Sequence, residues 1–570
     1  MKRLIVFLFL CAVCFGVSWA AFQGVAVEEP AYSHFFPSGA LLYLQAKDFS
    51  ALLSDWNGSP QKQQWLQSAN YEVFSRSRLL LRLKGASGEF AAAAGLPAEM
   101  NFLGQIAGGQ SSLALYDIGK LQFLYITRLS SANSMQSGLW QTREKFETRN
   151  AGGVTFYYRR DPESEAEVAF AAVGEHFLLA TREDLMAGAL QLMAGSKDRT
   201  IEAEQWWSQS VGAAGPAGDL RMVLNLEKIA PSPYFRSYWV QRNITEMKQY
   251  SAAISDLFRS RKEYREERVL VKKSPSASEA SADTGAAAVA ELIRLVPAQA
   301  SIYEVRANPS AADCLALLET KILAPHLGPA AAEQLAPQVL LTNGETGNGS
   351  DLETRIDQAR VQHAVSGGDL SAPLKDLFEK NHIRAILQLQ SSERDKSGVF
   401  VRLHSTVALV GDSDWNEAAV RALLTDLVRP GLTTGQLGVD WQNRSGSLEL
   451  NGLWSLVMAV RGKYLFISDA PALLDGMIAN MKEKVALQPA LFAAGFDHTR
   501  ERDNFIRLTS LLDRSGDERG APSGAGHIPE FFSENIASLS STLAGVTSEK
   551  IVIRDSGDRV LQTVTYEWSH

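Results

Sequence analysis

At 570 residues the chain is too long for one hydrophobic core and is expected to fold as two or more domains. Hydrophobic residues at 45% and charged residues at 21% exclude a generally disordered polypeptide. A formal charge of -8, a pI near 5.7 and the lack of a concentrated Lys/Arg face exclude nucleic acid as a partner, because phosphate binding draws on such a face to release counterions.

The N-terminus reads Met1-Lys2-Arg3, and Leu4 to Phe22 then runs without an ionisable side chain other than the Cys11 and Cys14 thiols. A basic start followed by an apolar stretch is the pattern of an export signal. Ser18 and Ala20 put small residues at the -3 and -1 positions of a cleavage after Ala20, so residues 1–22 fit a removed signal peptide. They fit a retained anchor as well, since 19 helical residues at about 1.5 Å each nearly span a hydrocarbon core of roughly 30 Å. On either reading the body is exported to a periplasmic or extracytoplasmic space, and on the second it is tethered to the inner membrane by residues 4–22. Cys11 follows Leu10 and Cys14 follows Val13, which does not suit lipid attachment; Cys314 is then the one thiol of the body, so no internal disulfide is expected.

The body is predicted to be α+β, with two similar halves at residues 35–272 and 291–568, each a mainly antiparallel sheet with helices packed on one face. Taken in chain order, Pro37-Ser-Gly-Ala-Leu-Leu-Tyr-Leu opens the first half as strand, turn and helix. Ala171 to Met193 follows as strand, Gly174 turn, strand and helix, with Leu185, Ala189 and Leu192 facing a sheet. Trp206-Trp207 reads as packing rather than a sugar or membrane contact, given Glu202 and Glu204 beside it. Asp219 to Leu226 is a third strand. A helix is then predicted through Phe235, Tyr238, Trp239, Met247, Tyr250, Ile254, Leu257 and Phe258, ending in the mixed charges Arg259 to Arg268. Residues 273–290, rich in Ser and Ala, form the predicted linker.

The second half repeats this plan. Pro297-Ala-Gln-Ala-Ser-Ile-Tyr-Glu matches the Pro37 segment; Ala459 to Met481 matches Ala171 to Met193, with Gly174/Gly462, Leu185/Leu473, Gly188/Gly476 and Met193/Met481 coinciding; and Asp503 to Ser510 is matched with Asp219 to Leu226. Three matches in one order point to internal duplication. Cys314, inside an apparent helix from Ser310, reads as a buried small hydrophobe. Residues 342–351 and 514–526 read as surface loops.

Motifs of catalysis are scarce. The nine histidines show no metal-ligand spacing, and no phosphate loop or Gly-x-Ser-x-Gly elbow occurs, so no metal and no cofactor is expected. His176, facing Tyr464 in the alignment of the halves, reads as a packing position. The sharpest chemical candidate is Gly411-Asp412-Ser413-Asp414 after the apolar Val407-Ala-Leu-Val, which resembles the Gly-Asp-Ser opening of some esterases, with His498 of Asp497-His498 as the candidate base. The same Asp412-Ser-Asp-Trp-Asn-Glu suits the capping of a helix through Ala419, Leu423 and Leu427.

Pro37-Ser-Gly-Ala-Leu-Leu-Tyr-Leu, Asp55-Trp56-Asn57-Gly58-Ser59-Pro60 and the hairpin-plus-helix from Gly174 to Met193 together resemble a family of uncharacterised exported bacterial proteins catalogued as a domain of unknown function. The resemblance implies export and duplication and brings no catalytic or binding residue. The sequence thus leads to a non-enzymatic envelope protein that binds or scaffolds an envelope protein or lipid, with contact to the membrane through the N-terminal segment. A carrier of an apolar ligand such as lipid and a serine hydrolase using Ser413 and His498 stand as the alternatives.

Overall fold

The computed structural model describes residues 31–68, 71–72, 75–76, 78–97, 102–232, 247–274, 279–323, 372–394, 401–432, 440–450, 455–482, 488–504 and 545–569. The N-terminal segment 1–22, the aromatic positions Phe235, Tyr238 and Trp239, and the Gly-rich segments 342–351 and 514–526 lie outside the described residues. The fold is α+β with antiparallel strand pairing. Its contacts form two units, Met1–Leu53 with Lys84–Ser208 and Ser54–Leu83 with Gln209–His570.

In the first unit, seven strands pair in the order β1-β2-β3-β7-β6-β5-β4: β1 (Leu42–Ala46), β2 (Ser111–Asp117), β3 (Gln122–Arg128), β4 (Glu147–Ala151), β5 (Val154–Arg160), β6 (Glu167–Val173) and β7 (His176–Ala180). Of the helices α1 (Phe49–Gly58), α2 (Pro60–Gln67) and α3 (Arg78–Ala94), this unit contains α1 up to Leu53 and α3 from Lys84 on. Val168, Phe170, Phe177 and Leu179 pack on one side with Ala91, Ala94, Leu139 and Phe146. Ala169 and Ala171, which alternate with them along β6, are fully buried too. The helix α4 (Glu183–Met193) follows β7 and buries Leu185, Met186, Ala189, Leu190 and Leu192. After it, α5 (Gln205–Ala213) begins with Trp206 and Trp207.

The second unit carries β8 (Leu220–Asn225), β9 (Tyr250–Arg259), β10 (Glu263–Lys272), β11 (Ile302–Ala307), β12 (Ala385–Arg394), β13 (Val401–Val410), β14 (Trp441–Arg444), β15 (Ser447–Leu450), β16 (Leu456–Arg461), β17 (Tyr464–Ser468), β18 (Phe492–Asp497), β19 (Val546–Asp555) and β20 (Arg559–Trp568). They pair, all antiparallel, in the order β8-β9-β10-β20-β19-β18-β11-β12-β13-β17-β16-β15-β14. Strands β11 to β17 therefore follow the order of β1 to β7. The turns Gly174 and Gly462 share a left-handed φ of 59° and 56°, which glycine adopts at little cost.

Side-chain alternation divides the interior of this unit into two cores, one on each face. Ile386, Val407, Leu409, Met458, Leu465 and Ile467 meet α7 (Ala311–Leu318), α8 (Ala372–Asn381) and α9 (Glu417–Leu432), whereas Leu387, Leu389, Ala408, Val410, Val457 and Phe466 meet α6 (Glu279–Ile293) and α10 (Pro471–Asn480). The expectation of helices on one face is corrected accordingly: near-continuous apolar runs such as Val407-Ala-Leu-Val signal a sheet covered on both sides. Each large apolar side chain buried this way stabilises the fold by about 1.5–3 kcal/mol.

Three further expectations change. Residues 250–258 form β9 rather than a helix, and Arg259 to Arg268 lies at the turn and along β10. The linker expected at 273–290 is helical from Glu279, because an Ala-rich segment with Ala288, Val289 and Leu292 spaced on one side buries them against β11 and β12. Nor do the contacts divide at that point: β10 pairs with β20 along nearly its whole length, from Glu263↔Glu567 to Val271↔Arg559, which holds the first-half hairpin in the second unit. Finally, the strand following α10 is Phe492–Asp497, so the match of Asp219 with Asp503 is out of step; Asp503 lies in the helical turn after β18.

Candidate functional site

Ser413 and His498 are not brought together. Ser413 follows the C-terminal end of β13, and the register runs from there through Val410↔Ala385 and Ala307↔Ala385 to Arg306↔Phe492, the start of β18. His498 follows the other end of β18, beyond Phe496↔Ile302. Six residues of strand and three strand spacings put the two roughly 25 Å apart. The hydroxyl of Ser413 donates to Asn381 Oδ1, which also accepts from the Ser413 amide at 3.2 Å, and the Asn381 carbonyl accepts from the Asp412 amide at 2.9 Å. Asn381 is thus a buried post that fastens the Gly-Asp-Ser turn, and the turn is a structural device. Helix capping comes from Asn416, whose side chain accepts from the Ala419 amide at 3.1 Å.

A titratable cluster that sequence reasoning missed lies at the opposite end of the same strands. Asp469, with 3% of its side chain exposed, accepts from the Ser405 amide at 2.7 Å, and its Oδ1 lies 3.7 Å from His404 Nδ1. At that distance the contact is an ion pair rather than a hydrogen bond. The Asp469 carboxylate holds the His404 imidazolium above its ordinary pKa despite partial burial, and Glu393, 3.6 Å away, acts in the same sense. Nearby, Glu501 accepts from the Ser392 amide at 3.0 Å and from its hydroxyl, and Asn504 donates to the Ser392 hydroxyl at 2.8 Å. His498 stacks edge-on against Phe496 at 4.5 Å, and burial together with Arg502 pushes its pKa down. In the first unit the residue after β7 is Thr181, whose hydroxyl accepts from the Phe123 amide at 2.8 Å. Asp469 performs that same backbone-anchoring task after β17, so the cluster accounts for strand-end stability before any chemistry is needed.

The other singled-out residues pack. Trp207 meets Tyr43 edge-on at 4.8 Å, and the Trp206 indole donates to Glu204. Cys314 is fully buried, with its thiol pushed up to about 12 by burial and by Asp313. His176 lies edge-on to Tyr32 at 5.3 Å. Among the described residues no group of three or more His, Cys, Asp and Glu side chains could hold a metal ion, and no helix is long and apolar enough to cross a membrane.

The junction β9-β10-β20-β19 is sparingly packed for strands of its length. Its four strands have ten residues each, and three of them bury a single one: Val269 in β10, Val564 in β20 and Val546 in β19. By contrast β13 buries its last six residues. With both long edges of these strands already paired, their unused binding capacity lies in side chains on the faces rather than in the backbone. One face presents Phe258, Arg265, Glu267, Val271, Leu561 and Thr563, with the Arg265 guanidinium 4.9 Å over the Phe258 ring and 3.3 Å from Glu267. On the other, Glu266 accepts from Arg268 at 2.6 Å and from Ser255 at 2.5 Å; burial would push its carboxyl up, and these donors outweigh it and hold it below the ordinary range. Leu270, Val560, Ile551 and Ile553 share that second face and are half-buried. The arrangement offers apolar contact area interleaved with fixed charges.

No family model matches the chain. A search of the curated proteins returns no match. Among solved structures the chain is similar to crystal form I of the protein TP0453, at 13% identity and a TM-score of 0.24 over 44% of this chain and 82% of that one. Crystal form IV of TP0453 gives 11% identity and a TM-score of 0.23 over 42% of this chain and 79% of that one.

Proposed function

We propose that this is an exported protein of the cell envelope that works by binding, and that the β9-β10-β20-β19 junction is its contact surface. The observation that carries the proposal is the burial of only three side chains in thirty residues of β10, β19 and β20, where β13 alone buries six in ten. Support for export comes from the basic start and apolar run of residues 1–22. Support for duplication comes from the shared strand order of β1–β7 and β11–β17 and from the paired β10 and β20. The resemblance to exported proteins of a catalogued domain of unknown function is part of the same proposal.

The test is fractionation of the producing cell followed by affinity isolation after chemical crosslinking. Recovery of the chain in the envelope with one recurrent protein supports the reading. Mass spectrometry of solvent extracts from the same preparation would instead reveal an apolar cargo, and a stoichiometric lipid there would favour the carrier. A chain found in the cytosol, or repeated isolation with neither protein nor lipid, overturns the proposal.

A further inference from the structure

Strand β18 runs directly into a helical turn, residues 498–504, whose polar side chains fasten it to two neighbouring strands. Near the end of β12, the buried Glu501 accepts from the Ser392 amide at 3.0 Å and from the Ser392 hydroxyl. Asn504 donates to that hydroxyl at 2.8 Å and accepts from Arg394 at 2.7 Å. A further tie reaches β19, where Arg502 donates to the carbonyl of its first residue, Val546, at 2.8 Å. The turn thus bridges the end of β12 and the start of β19.

A titratable group stands at the root of this bridge. His498, its first residue, is half-buried edge-on against Phe496, and its Nε2 is buried without a hydrogen-bond partner. A proton on that nitrogen would be a buried donor with nothing to receive it. The charges around it do not compensate. Arg502, four residues on and so on the same side of the turn, repels a second cation. Asp497 attracts one, but its Oδ1 already accepts from the Thr499 amide and hydroxyl and from the Arg500 amide, and its Oδ2 lies 3.3 Å from Arg500. Glu501 is engaged by Ser392, and Glu549 of β19, opposite Phe496 in the ladder, is engaged by Tyr566. On β12, Glu393 faces His404 at 3.6 Å, while Arg394 is held by Asn504 and lies 4.0 Å from Asp503. The end of β11 nearest the turn brings only Ser301 and Ile302. Burial and Arg502 together keep the imidazole neutral at neutral pH.

We infer that residues 498–504 form an acid-opened latch: protonation of His498 releases the turn from Ser392 and from the start of β19 while the sheet behind it stays folded. Opening exposes the ring to water, where a histidine of ordinary pKa 6.5 takes up its proton. The latch is therefore at full strength above pH 6.5 and weakens as the pH falls below it. At pH 5.0 a ring in water is protonated about thirty to one, so opening gains at most about thirtyfold over its level at pH 7.5. The latch rests neither on export nor on the binding role of the junction, so its failure and theirs are separable.

Hydrogen–deuterium exchange of the full chain, read by mass spectrometry at about pH 7.5 and about pH 5.0 and corrected for the intrinsic rate at each, tests the inference. Amides of 498–504 and of Ser392 should lose protection about threefold or more at the lower pH, while those of β17 keep theirs. H498Q, neutral at both pH values, should show no such difference. Should H498Q fail to fold, H498F carries the same comparison. Undiminished protection of the wild-type turn at the lower pH overturns the inference. So does an equal acid response in H498Q, which would assign the effect to a carboxylate such as Glu501, and so does a loss that extends to β17, which would make it global unfolding.

Discussion

Arg221 and Asp256 stand opposite each other in the β8–β9 ladder with side chains 10% and 4% exposed. The guanidinium makes two bonds of 2.8 Å to the carboxylate and a third, of 2.7 Å, to the Gly215 carbonyl, and the Gly218 amide donates to Asp256 at 2.9 Å. Removing one partner leaves the other charge buried without its counter-ion, at a cost of about 3–5 kcal/mol. The loss of Arg221 is the more severe, since Asp256 pairs directly with Glu267 across the β9–β10 ladder and the two would then repel. At the corresponding ladder position of β18–β19 the chain has Ala493 opposite Val552, an apolar solution to the same geometry. The double variant R221A/D256V copies it and should lie within about 1–2 kcal/mol of the wild type, because a well-packed apolar pair often replaces a buried ion pair at little cost. Urea denaturation of the full chain, followed by tryptophan fluorescence and circular dichroism, measures all four members of the cycle. If the double variant is as unstable as the sum of the single ones, the reasoning that equates these two ladder positions is refuted.

Gly188 and Gly476 offer a second cycle: a Cβ on either would lie 2.9 Å from Pro37 or 2.8 Å from Pro297, so Gly→Ala in these helices should destabilise by about 1–3 kcal/mol where an open helix site would gain about 0.5–1, as read by thermal melts. Stability should also depend on pH through two histidines of opposite sign. For His404, whose folded pKa is raised, the stabilisation is complete below the ordinary 6.5 and fades as pH climbs through the folded value; H404Q should flatten that decline. For His498, whose folded pKa is depressed, stability rises with pH up to 6.5, and H498Q should remove the rise. Ser413→Ala should cost only about 0.5–1.5 kcal/mol of stability, and a serine-reactive phosphonate should label neither form; labelling lost only in the variant would revive a hydrolytic role.

What the sequence disclosed was disclosed by sharp local signals. The Gly174 and Gly462 turns need a left-handed backbone, and Gly188 and Gly476 sit where Pro37 and Pro297 leave no room for a Cβ, so the identities on which the proposed duplication rests are positions with a steric reason. Strand β9 was illegible because its period-2 pattern is broken: Ala252, Ala253 and Ile254 are buried in succession, while Tyr250, Ile254, Leu257 and Phe258 also satisfy helical spacing. The small residues of Phe492-Ala-Ala-Gly-Phe-Asp hid β18 in the same way, and Tyr303 lies against Gly495 where a larger residue would stand. The Ser and Ala of 273–290 suit a linker, but alanine is also the best helix former, and only the apolar face of Ala288, Val289 and Leu292 distinguishes the two. The junction surface could not be read locally at all, because it exists only where β10 meets β20, strands separated by nearly 300 residues in the chain.

Site-specific photocrosslinking in the producing cell is the most direct measurement of the binding role. Photoreactive residues placed at Val271, Glu267 and Leu561 of the junction should each capture the same envelope protein, while one at Phe466, fully buried in the β17 core, should capture none. Identical adducts from Phe466 and the junction positions, or no adduct from any junction position in envelopes that contain the chain, would contradict it.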